Sequence, residues 1–449
     1  MSAFDRKTSL FILLLTVGLP VTALAQTQPA VRTLSLGEAL RLADQRELRL
    51  IVSQERVAQA MARIGQSRSA LLPQLNLNAY QNRQTRDLRT AGMAFAGDPL
   101  VGPFNVFDAR AQITQTIFDA SALARLSAAR AGQALTAAQL RQTKEDVLAL
   151  VATMFVDARR AAQSVGYADT VVKKEEKKLA VAQHQQAAGT GSQPDVLQAQ
   201  ADHAAALRLR QQAQTTAVNA RLDLLAALGL DLEGPVQFSN DDGLNFPEPD
   251  ADPSLTRFEH LPDLEVAGEQ LNVSRADRST EKWEFFPKIS ALADYGPSGI
   301  DPSDQNETYT LGLKASFPIF DGGSRKSRVQ EAESRLRESE AGFADARTQS
   351  QAKILSARES FRQAEALVAE KDAQRALAQK QLSLAQERLH NGTASEVELL
   401  EAQARDAGAD DQQNEARAAF ITAQIHWTRA TGGMEGLLSG TTARLDSKE

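Results

Sequence analysis

The chain has 449 residues, no cysteine and a formal net charge of −7. The absence of cysteine excludes disulfides, zinc–thiolate sites, a thiol nucleophile and a lipid-modified N-terminal cysteine. The mildly negative net charge does not indicate a nucleic-acid-binding protein. Aromatic residues make up only 5% of the chain, and a composition rich in alanine and glutamine suits long, closely packed helices better than a compact globule with a deep pocket.

The N-terminal segment has the pattern of a secretory signal peptide. Two basic residues precede an apolar run at 10–21, and residues 23–25 read Ala-Leu-Ala, an A-x-A cleavage site. We therefore expect residues 1–25 to be removed and Gln26 to be the first mature residue. The alternative, a membrane anchor, is disfavoured because a run of about a dozen residues is too short to span a bilayer as a helix.

The rest of the sequence contains two copies of one pattern. The stretch beginning at Gly189 recurs from Gly392, 203 residues later, and Ile117-Phe118-Asp119 recurs as Ile319-Phe320-Asp321, 202 residues later. Further shared landmarks keep the same order and similar spacing. This indicates an internal duplication in which each copy has the same elements.

The first repeat, residues 26–230, is predicted from periodicity and from helix breakers. Its strands alternate apolar and polar residues. No proline lies between Pro103 and Pro194, which permits an unbroken helix of about 100 Å at about 1.5 Å per residue. The predicted elements are one helix from Ser35 to about Ala70, strands at about 73–83 and 105–118, a long helix at about 120–188 and a returning helix at about 193–228.

A connector at 231–259, rich in Pro, Gly, Asp and Asn, separates the two copies and is expected to lie outside the helical rods. The second repeat, residues 260–433, is predicted to follow the same plan. Its elements are a helix from Pro262, strands at about 287–296 and 308–320, a long helix at about 322–390 and a returning helix at about 395–431. Residues 434–449 are expected to form a polar C-terminal tail.

Four amphipathic strands are too few to close a barrel. Open strand edges in lipid leave backbone groups unpaired at several kcal/mol each, and small outer-membrane barrels begin at about eight strands. Several copies must therefore contribute to one barrel, and the residues alone permit two copies with eight strands or three with twelve. The alternative is a soluble pair of hairpins that caps a coiled coil.

The repeated pattern resembles the TolC family of outer-membrane factors over essentially the whole mature chain. The stretches that carry the resemblance are Leu261-Pro262-Asp263-Leu264, Phe285-Phe286-Pro287, Ser316-Phe317-Pro318-Ile319-Phe320-Asp321-Gly322-Gly323, and Gly392-Thr393 followed by Val397-Glu398-Leu399-Leu400-Glu401-Ala402-Gln403. The resemblance implies a mainly α fold with membrane β, a TolC-like α/β-barrel. In it each protomer gives four transmembrane β-strands and long coiled-coil helices, and three protomers close as a homotrimer.

The resemblance also implies the function and the partners. The expected protein is the outer-membrane exit duct of a tripartite efflux or type I secretion system, with its barrel in outer-membrane lipid and its helical part in the periplasm. The expected partners are a periplasmic adaptor (membrane fusion) protein and an inner-membrane pump of the RND, ABC or MFS type. No cofactor, metal or nucleic acid is expected.

The candidate site residues lie at the two turns between long and returning helices. By turn alignment, the resemblance places Glu398, Glu401 and Asp195 in an acidic ring at the pore constriction. This chain departs from the family prototype, because it has Glu in place of Asp in the ring and has Leu389 and Ala394 at the positions of a Tyr–Arg closing latch. Family adaptors dock at the tips, and the candidate docking residues are Gly189, Thr190, Gly392 and Thr393.

A simpler role for the acids is helix capping. Ser192 with Asp195 and Ser395 with Glu398 have capping-box spacing, and acids in a first turn favour the helix dipole. Glu401 lies one turn further on, where capping does not explain it. The glycines at the turns have a simpler role as well, since they supply positive φ at little cost.

Two other classes of function are weaker. The five histidines are scattered, and the chain has no H-E-x-x-H, G-x-S-x-G, P-loop or dinucleotide motif, so no catalytic residue is predicted. A periplasmic adaptor-like coiled-coil protein of an export complex is the non-enzymatic alternative. Adaptors carry one helical hairpin flanked by compact β domains, whereas this sequence predicts two hairpins and two amphipathic strand pairs.

Overall fold

The computed structural model describes residues 32–92, 99–239, 244, 246–249 and 261–438. The expected signal peptide, most of the connector and the last residues of the tail lie outside these described residues. The elements, in chain order, are β1 Arg32–Leu34, α1 Leu36–Arg46, α2 Leu48–Ser69, β2 Gln74–Asp87, β3 Leu100–Phe118, α3 Ala120–Ala187, α4 Gln193–Ala227, β4 Val236–Phe238, α5 Pro262–Trp283, β5 Lys288–Asp301, β6 Asp304–Ser316, α6 Ser324–His390 and α7 Glu396–Ala430.

Two very long helices dominate the molecule. Helix α3 has 68 residues and α6 has 67, so each is about 100 Å long. Asp119 caps α3, since its carboxylate accepts a hydrogen bond from the backbone N–H of Ala122. Gly323 precedes α6 with a φ of 89°, and Asp321 accepts from the N–H groups of Gly323 and Arg325. Both rods therefore begin beside an aspartate that accepts backbone hydrogen bonds at the helix start. Asp119 follows β3 directly, whereas Asp321 lies five residues after the end of β6.

The shorter helices pair with these rods. The returning helices α4 and α7 have 35 residues each, and α5 has 22. The prediction of a single helix from Ser35 to about Ala70 is wrong in one respect, because this range contains two helices, α1 and α2. The break is at Glu47, whose extended backbone ends α1 and whose carboxylate accepts from the N–H of Arg49 to begin α2.

The helices form a wall with a defined order. Helix α3 packs against α2 and α4 on one side and against α5 and α7 on the other, and α6 packs against α5 and α7. In the described part of the chain, α6 makes no extensive contact with α2 or α4. The outer sides of α2 and α4 at one end of the wall, and of α6 at the other end, therefore remain uncovered within one chain.

The four long strands form one antiparallel sheet in the order β2-β3-β5-β6. The strands extend further from the helices than the alternation predicted, since β2 reaches Asp87, β3 begins at Leu100 and β5 reaches Asp301. The predicted end of the fourth strand at about residue 320 is wrong. β6 ends at Ser316, shortly before Pro318, because proline has no N–H to donate to a strand ladder.

The sheet has one continuous apolar face. Leu77, Ala111, Tyr295 and Tyr309 lie side by side across the four strands, and the next apolar row begins at Leu75. Leu77 and Leu311 are each 80% exposed in the single chain. Because strand side chains alternate between faces, the opposite face carries the polar residues. In the row adjacent to that of Leu77, the polar residues are Asn76, Gln112, Asp294 and Thr310.

An ion-pair network on the polar face joins the two repeats. Arg110 on β3 donates through Nε to Asp108 Oδ2 at 2.8 Å and through Nη1 to Asp294 Oδ1 on β5 at 2.8 Å. Asp108 is only 6% exposed, and a buried carboxylate without a partner would be costly. The network therefore holds the first strand hairpin in register with the second.

The largest apolar core lies about midway along the rods. One face of α3, which includes Leu148, Phe155 and Val156, packs against α1, against the end of α4 and against β1, which pairs in parallel with β4. Residues 434–438 are helical and add Met434, which is fully buried, to this core. The expectation of a polar tail is thus wrong for the first five residues, because their apolar side chains dock on the core.

Glu145 attaches this C-terminal segment to α3. Its buried carboxylate accepts hydrogen bonds from the backbone N–H groups of Met434 and Glu435, both at 3.0 Å. Burial raises the pKa of Glu145, although the two N–H groups oppose that change.

No helix in the described part of the chain combines the length and the apolar character that a bilayer crossing requires.

Asp263 joins four helices at the level where α5 begins and α7 ends. Its carboxylate accepts from Arg429 of α7 at 2.7 Å, from Lys353 of α6 at 2.9 Å and from Gln142 of α3 at 3.0 Å. Burial raises the pKa of Asp263, but the hydrogen bonds from Arg429, Lys353 and Gln142 and the charge of Arg429 outweigh it and lower the pKa to about 2. Arg429 also donates to Asp146 of α3.

We expect Asp263→Asn to lower the free energy of unfolding at neutral pH by about 2 kcal/mol, since each unit of pKa change corresponds to about 1.4 kcal/mol. The folded pKa lies below the ordinary value of 3.8. The stabilisation is therefore complete above that value and is lost as the pH falls from 3.8 towards 2. Thermal unfolding of the detergent-solubilised protein, followed by circular dichroism, measures the effect. Asp146→Asn is the matched control, because Asp146 is 59% exposed and has Arg429 as its only ion-pair partner among the described residues. Equal losses in the two variants would contradict this role of Asp263.

Candidate functional site

The two helix turns lie at the same end of the molecule, remote from the sheet. Helices α3 and α6 each follow a strand of the sheet and run away from the sheet for nearly equal lengths. The α3–α4 turn and the α6–α7 turn therefore lie about 100 Å from the sheet. All the candidate residues from the sequence are at this end.

The two turns have matching backbone geometry. Gly189 and Gly392 have φ values of 76° and 70°, in the left-handed region that glycine adopts without a steric penalty. Thr190 and Thr393 follow them, and each hydroxyl donates to a carbonyl of the preceding helix, at 3.1 Å and 3.0 Å. All four residues are exposed, so they form the outer surface of the two tips.

Asp195 takes part in a complete capping box. Its backbone N–H donates to Ser192 Oγ, and its carboxylate accepts from the backbone N–H of Ser192 at 3.1 Å and from the Ser192 hydroxyl at 2.6 Å. These hydrogen bonds lower the pKa of Asp195. Capping therefore explains this residue locally, although the side chain is exposed and its charge is retained.

Glu398 has a different partner. Ser395 caps α7 by accepting from the N–H of Glu398 at 3.2 Å, but the Glu398 carboxylate pairs with the guanidinium of Arg388 on α6. Arg388 also donates to the carbonyl of Thr393 at 3.3 Å. The second turn thus has half a capping box, and an ion pair across the turn replaces the other half.

Glu401 is the candidate acid with the fewest constraints. Its side chain is exposed, and within the described residues its carboxylate has no hydrogen-bond or ion-pair partner. It lies one turn after Glu398 on α7, so the two share a side of the helix. Of the three predicted acids, Glu401 is the one whose position no local contact explains.

Lys177 brings the two tips together. It lies near the end of α3, and its Nζ is 2.8 Å from Glu396 Oε1 in the first turn of α7. The structure therefore places the acids of both turns on neighbouring hairpins. Sequence reasoning missed Lys177 and Arg388. Arg388 had a detectable signal, because it lies five residues before Thr393 and Glu398 lies five residues after it, so the two face each other across the turn.

The two faces of the wall differ at mid-height. The apolar core with α1 and β1 covers one face of α3, at Leu148, Phe155 and their neighbours. The opposite face of α3, with Leu150 and Thr153, lines a groove of about 1150 Å³ between α3, α6, α7 and the start of α5. No group of His, Asp or Glu in the described part of the chain has an arrangement that could hold a metal ion.

The sequence matches one protein family over most of its length. The model of the family described as outer membrane efflux protein matches residues 39–230 and 258–433. The two matched segments correspond to the two repeats. No curated protein sequence matches the chain.

Solved structures of bacterial membrane proteins share the fold. A membrane protein from Pseudomonas aeruginosa has a TM-score of 0.76 at 18% identity, with 88% of this chain and 93% of that chain covered. The outer membrane protein VceC from Vibrio cholerae has a TM-score of 0.72 at 17% identity, covering 89% and 96%. The CmeC outer membrane channel of Campylobacter jejuni has a TM-score of 0.76 at 16% identity, covering 92% and 88%.

We expect Ser192→Ala to loosen the start of α4, because it removes the hydroxyl that both accepts from and donates to Asp195. The loss of such a cap costs about 1 kcal/mol, which corresponds to roughly fivefold faster amide exchange where local opening limits it. Hydrogen–deuterium exchange of the peptide that covers residues 192–200 measures this. Ser395→Ala is the control, and it should change exchange at the other turn only. Unchanged exchange at 192–200 in Ser192→Ala would show that the cap does not stabilise this turn.

Proposed function

Because this chain belongs to the outer membrane efflux protein family, we propose that it is the exit duct of a tripartite efflux or type I secretion system. The family is one of outer-membrane efflux channels and not of enzymes. The observation that carries the proposal is the pair of uncovered edges of the single chain. The leading edge consists of β2, α2 and α4, and the trailing edge consists of β6 and α6.

The two edges fit a ring of identical copies. The leading edge and the trailing edge each contain one edge strand and the helix joined to it, so the same contact can repeat from copy to copy. Such a head-to-tail contact forms a closed ring when its rotation closes. Closure pairs β6 of one copy with β2 of the next and satisfies the backbone groups that an open edge leaves exposed.

We propose three copies in this ring. Three chains give twelve strands, an even number within the range of outer-membrane barrels. The apolar face, with Leu77 and Leu311, would contact outer-membrane lipid, and the polar face would line the pore. The rods then extend about 100 Å into the periplasm as a tunnel of single long helices alternating with stacked short ones.

The tips are the proposed contact and constriction region. Gly189, Thr190, Gly392 and Thr393 are proposed to contact a periplasmic adaptor, which links the duct to an inner-membrane pump of the RND, ABC or MFS type. Asp195, Glu398 and Glu401 are proposed to line the constriction. Asp195 and Glu401 are exposed and Glu398 is half-buried at the ends of neighbouring hairpins, which supports this, and like charges brought together around an axis attract cations.

The first experiment separates the duct from the adaptor-like alternative. We expect the native protein to fractionate with the outer membrane and to run as an oligomer in detergent until heated. A soluble, monomeric periplasmic protein would reject the proposal. A panel of drugs and metals tested on a deletion strain then identifies the cargo.

The second experiment tests the constriction by conductance in planar bilayers. We expect Glu401→Gln to weaken block by divalent cations more than Glu398→Gln does, because Arg388 already neutralises Glu398. Arg388→Ala should strengthen the block, since it frees the Glu398 charge. If block is the same in all three variants and in the unchanged protein, the constriction does not contain these residues.

A further inference from the structure

Helix α2, on the leading edge, has a cationic stripe. Arg49, Arg56 and Arg63 are spaced by seven residues, which places them on one side of the helix because seven residues make about two turns. All three are exposed. Within the described residues Arg56 and Arg63 have no ion-pair partner, and Arg49 has only Glu47 of its own helix start, at 3.9 Å.

Helix α6, on the trailing edge, has an acidic stripe of the same length. Glu331, Glu338 and Asp345 are also spaced by seven residues, and all three are exposed. Glu338 has no partner in the described part of the chain. Among the same described residues, Glu331 pairs only with Arg335 on its own helix, and Asp345 accepts only from Gln349 one turn away.

The two stripes match in register as well as in charge. Helix α2 runs towards the sheet and α6 runs away from it, so the two are antiparallel where copies meet. If Arg56 lies opposite Glu338, the common spacing places Arg49 opposite Asp345 and Arg63 opposite Glu331. The same register places Ser69, the last residue of α2, opposite Arg325, one residue from the start of α6. The helix ends and the charges thus indicate the same alignment.

The exposed surfaces beside the stripes also match in size. On α2, the side chains next to the arginines include Leu48, which is 74% exposed, and Val52, which is 50% exposed. On α6, small residues next to the acids repeat with the same seven-residue spacing. They are Ser334, Ala341 and Thr348. Large apolar side chains on one helix can therefore pack against small residues on the other.

We propose that the two stripes form a ladder of three ion pairs between α2 of one chain and α6 of the next, and that this ladder sets the register between neighbouring copies. This rests on the ring proposed above. The partner is a second copy of this chain. An isolated exposed ion pair contributes about 0–1 kcal/mol. The ladder acts mainly by disfavouring other registers, because a slip of three residues places Arg56 opposite Arg335, and like charges in contact are unfavourable.

Charge reversal in the full-length protein tests the ladder. We expect Arg56→Glu with Arg63→Glu to reduce the detergent-stable oligomer on the order of tenfold, since about 1.4 kcal/mol lost at the contact corresponds to that factor. Adding Glu338→Arg and Glu331→Arg to the same chain should restore it, because the pairs are then re-formed with exchanged charges. Glu340→Arg is the matched control, since Glu340 is exposed on the same helix but lies outside the stripe.

The absence of native cysteine makes a direct test of the register possible. In the proposed register, Gln59 of one chain and Ser334 of the next are exposed and lie within one residue of being directly opposite each other. We expect oxidation of the double variant Gln59→Cys with Ser334→Cys to cross-link neighbouring chains. Val52→Cys with Ser334→Cys is shifted by one heptad, about 10 Å along the axis, and should cross-link poorly. Equal cross-linking of the two pairs, or failure of the four-residue exchange to restore the oligomer, would overturn the ladder. If the unchanged protein forms no oligomer at all, the ring itself fails instead.

Discussion

The backbone of a strand at the edge of a sheet needs a hydrogen-bonding partner when lipid replaces water. One chain builds a four-stranded sheet with an apolar face, and within the described residues β2 and β6 have no outer neighbours. In hydrocarbon each unpaired backbone group costs several kcal/mol. This cost is far larger than the stabilisation that the contacts of an exposed side chain provide. In the ring proposed above, neighbouring copies of the chain supply these partners, and the placement of α2 beside β2 and of α6 beside β6 extends the same contact along the rods.

The rods themselves contain little apolar core for their length. Alanine dominates their buried positions, and large buried side chains are concentrated midway, around Phe155 and around Ile354 and Trp427. Helices packed through alanine can approach closely over long distances, but alanine buries little apolar area. The polar junctions therefore matter. Asp263 joins α3, α5, α6 and α7 at the point where two short helices meet end to end, and Arg110 joins the two strand hairpins.

The two tips show how duplication permits divergence. Both turns keep the glycine, the threonine and the capping serine, and so keep the same backbone. The acids differ in their surroundings, because Asp195 is satisfied by Ser192 whereas Glu398 is bound by Arg388. The first repeat has Gln185 where the second has Arg388. It also has Gln193 and Gln198 where the second has Glu396 and Glu401. These substitutions give the two turns different charge, although the helices around them are alike.

Much of the structure of this protein could be predicted from the sequence alone, because periodicity, proline placement and internal repetition are local features of the sequence. The long helices, the four alternating strands, the two turns and the capping of Asp195 were predictable in this way, and the family resemblance supplied the fold. The break at Glu47, the docking of Met434 and the partners of Asp263 and Glu398 were decided by the tertiary structure. Each depends on groups far apart in the chain, or on opposite arms of a turn, whose proximity exists only when the helices have packed.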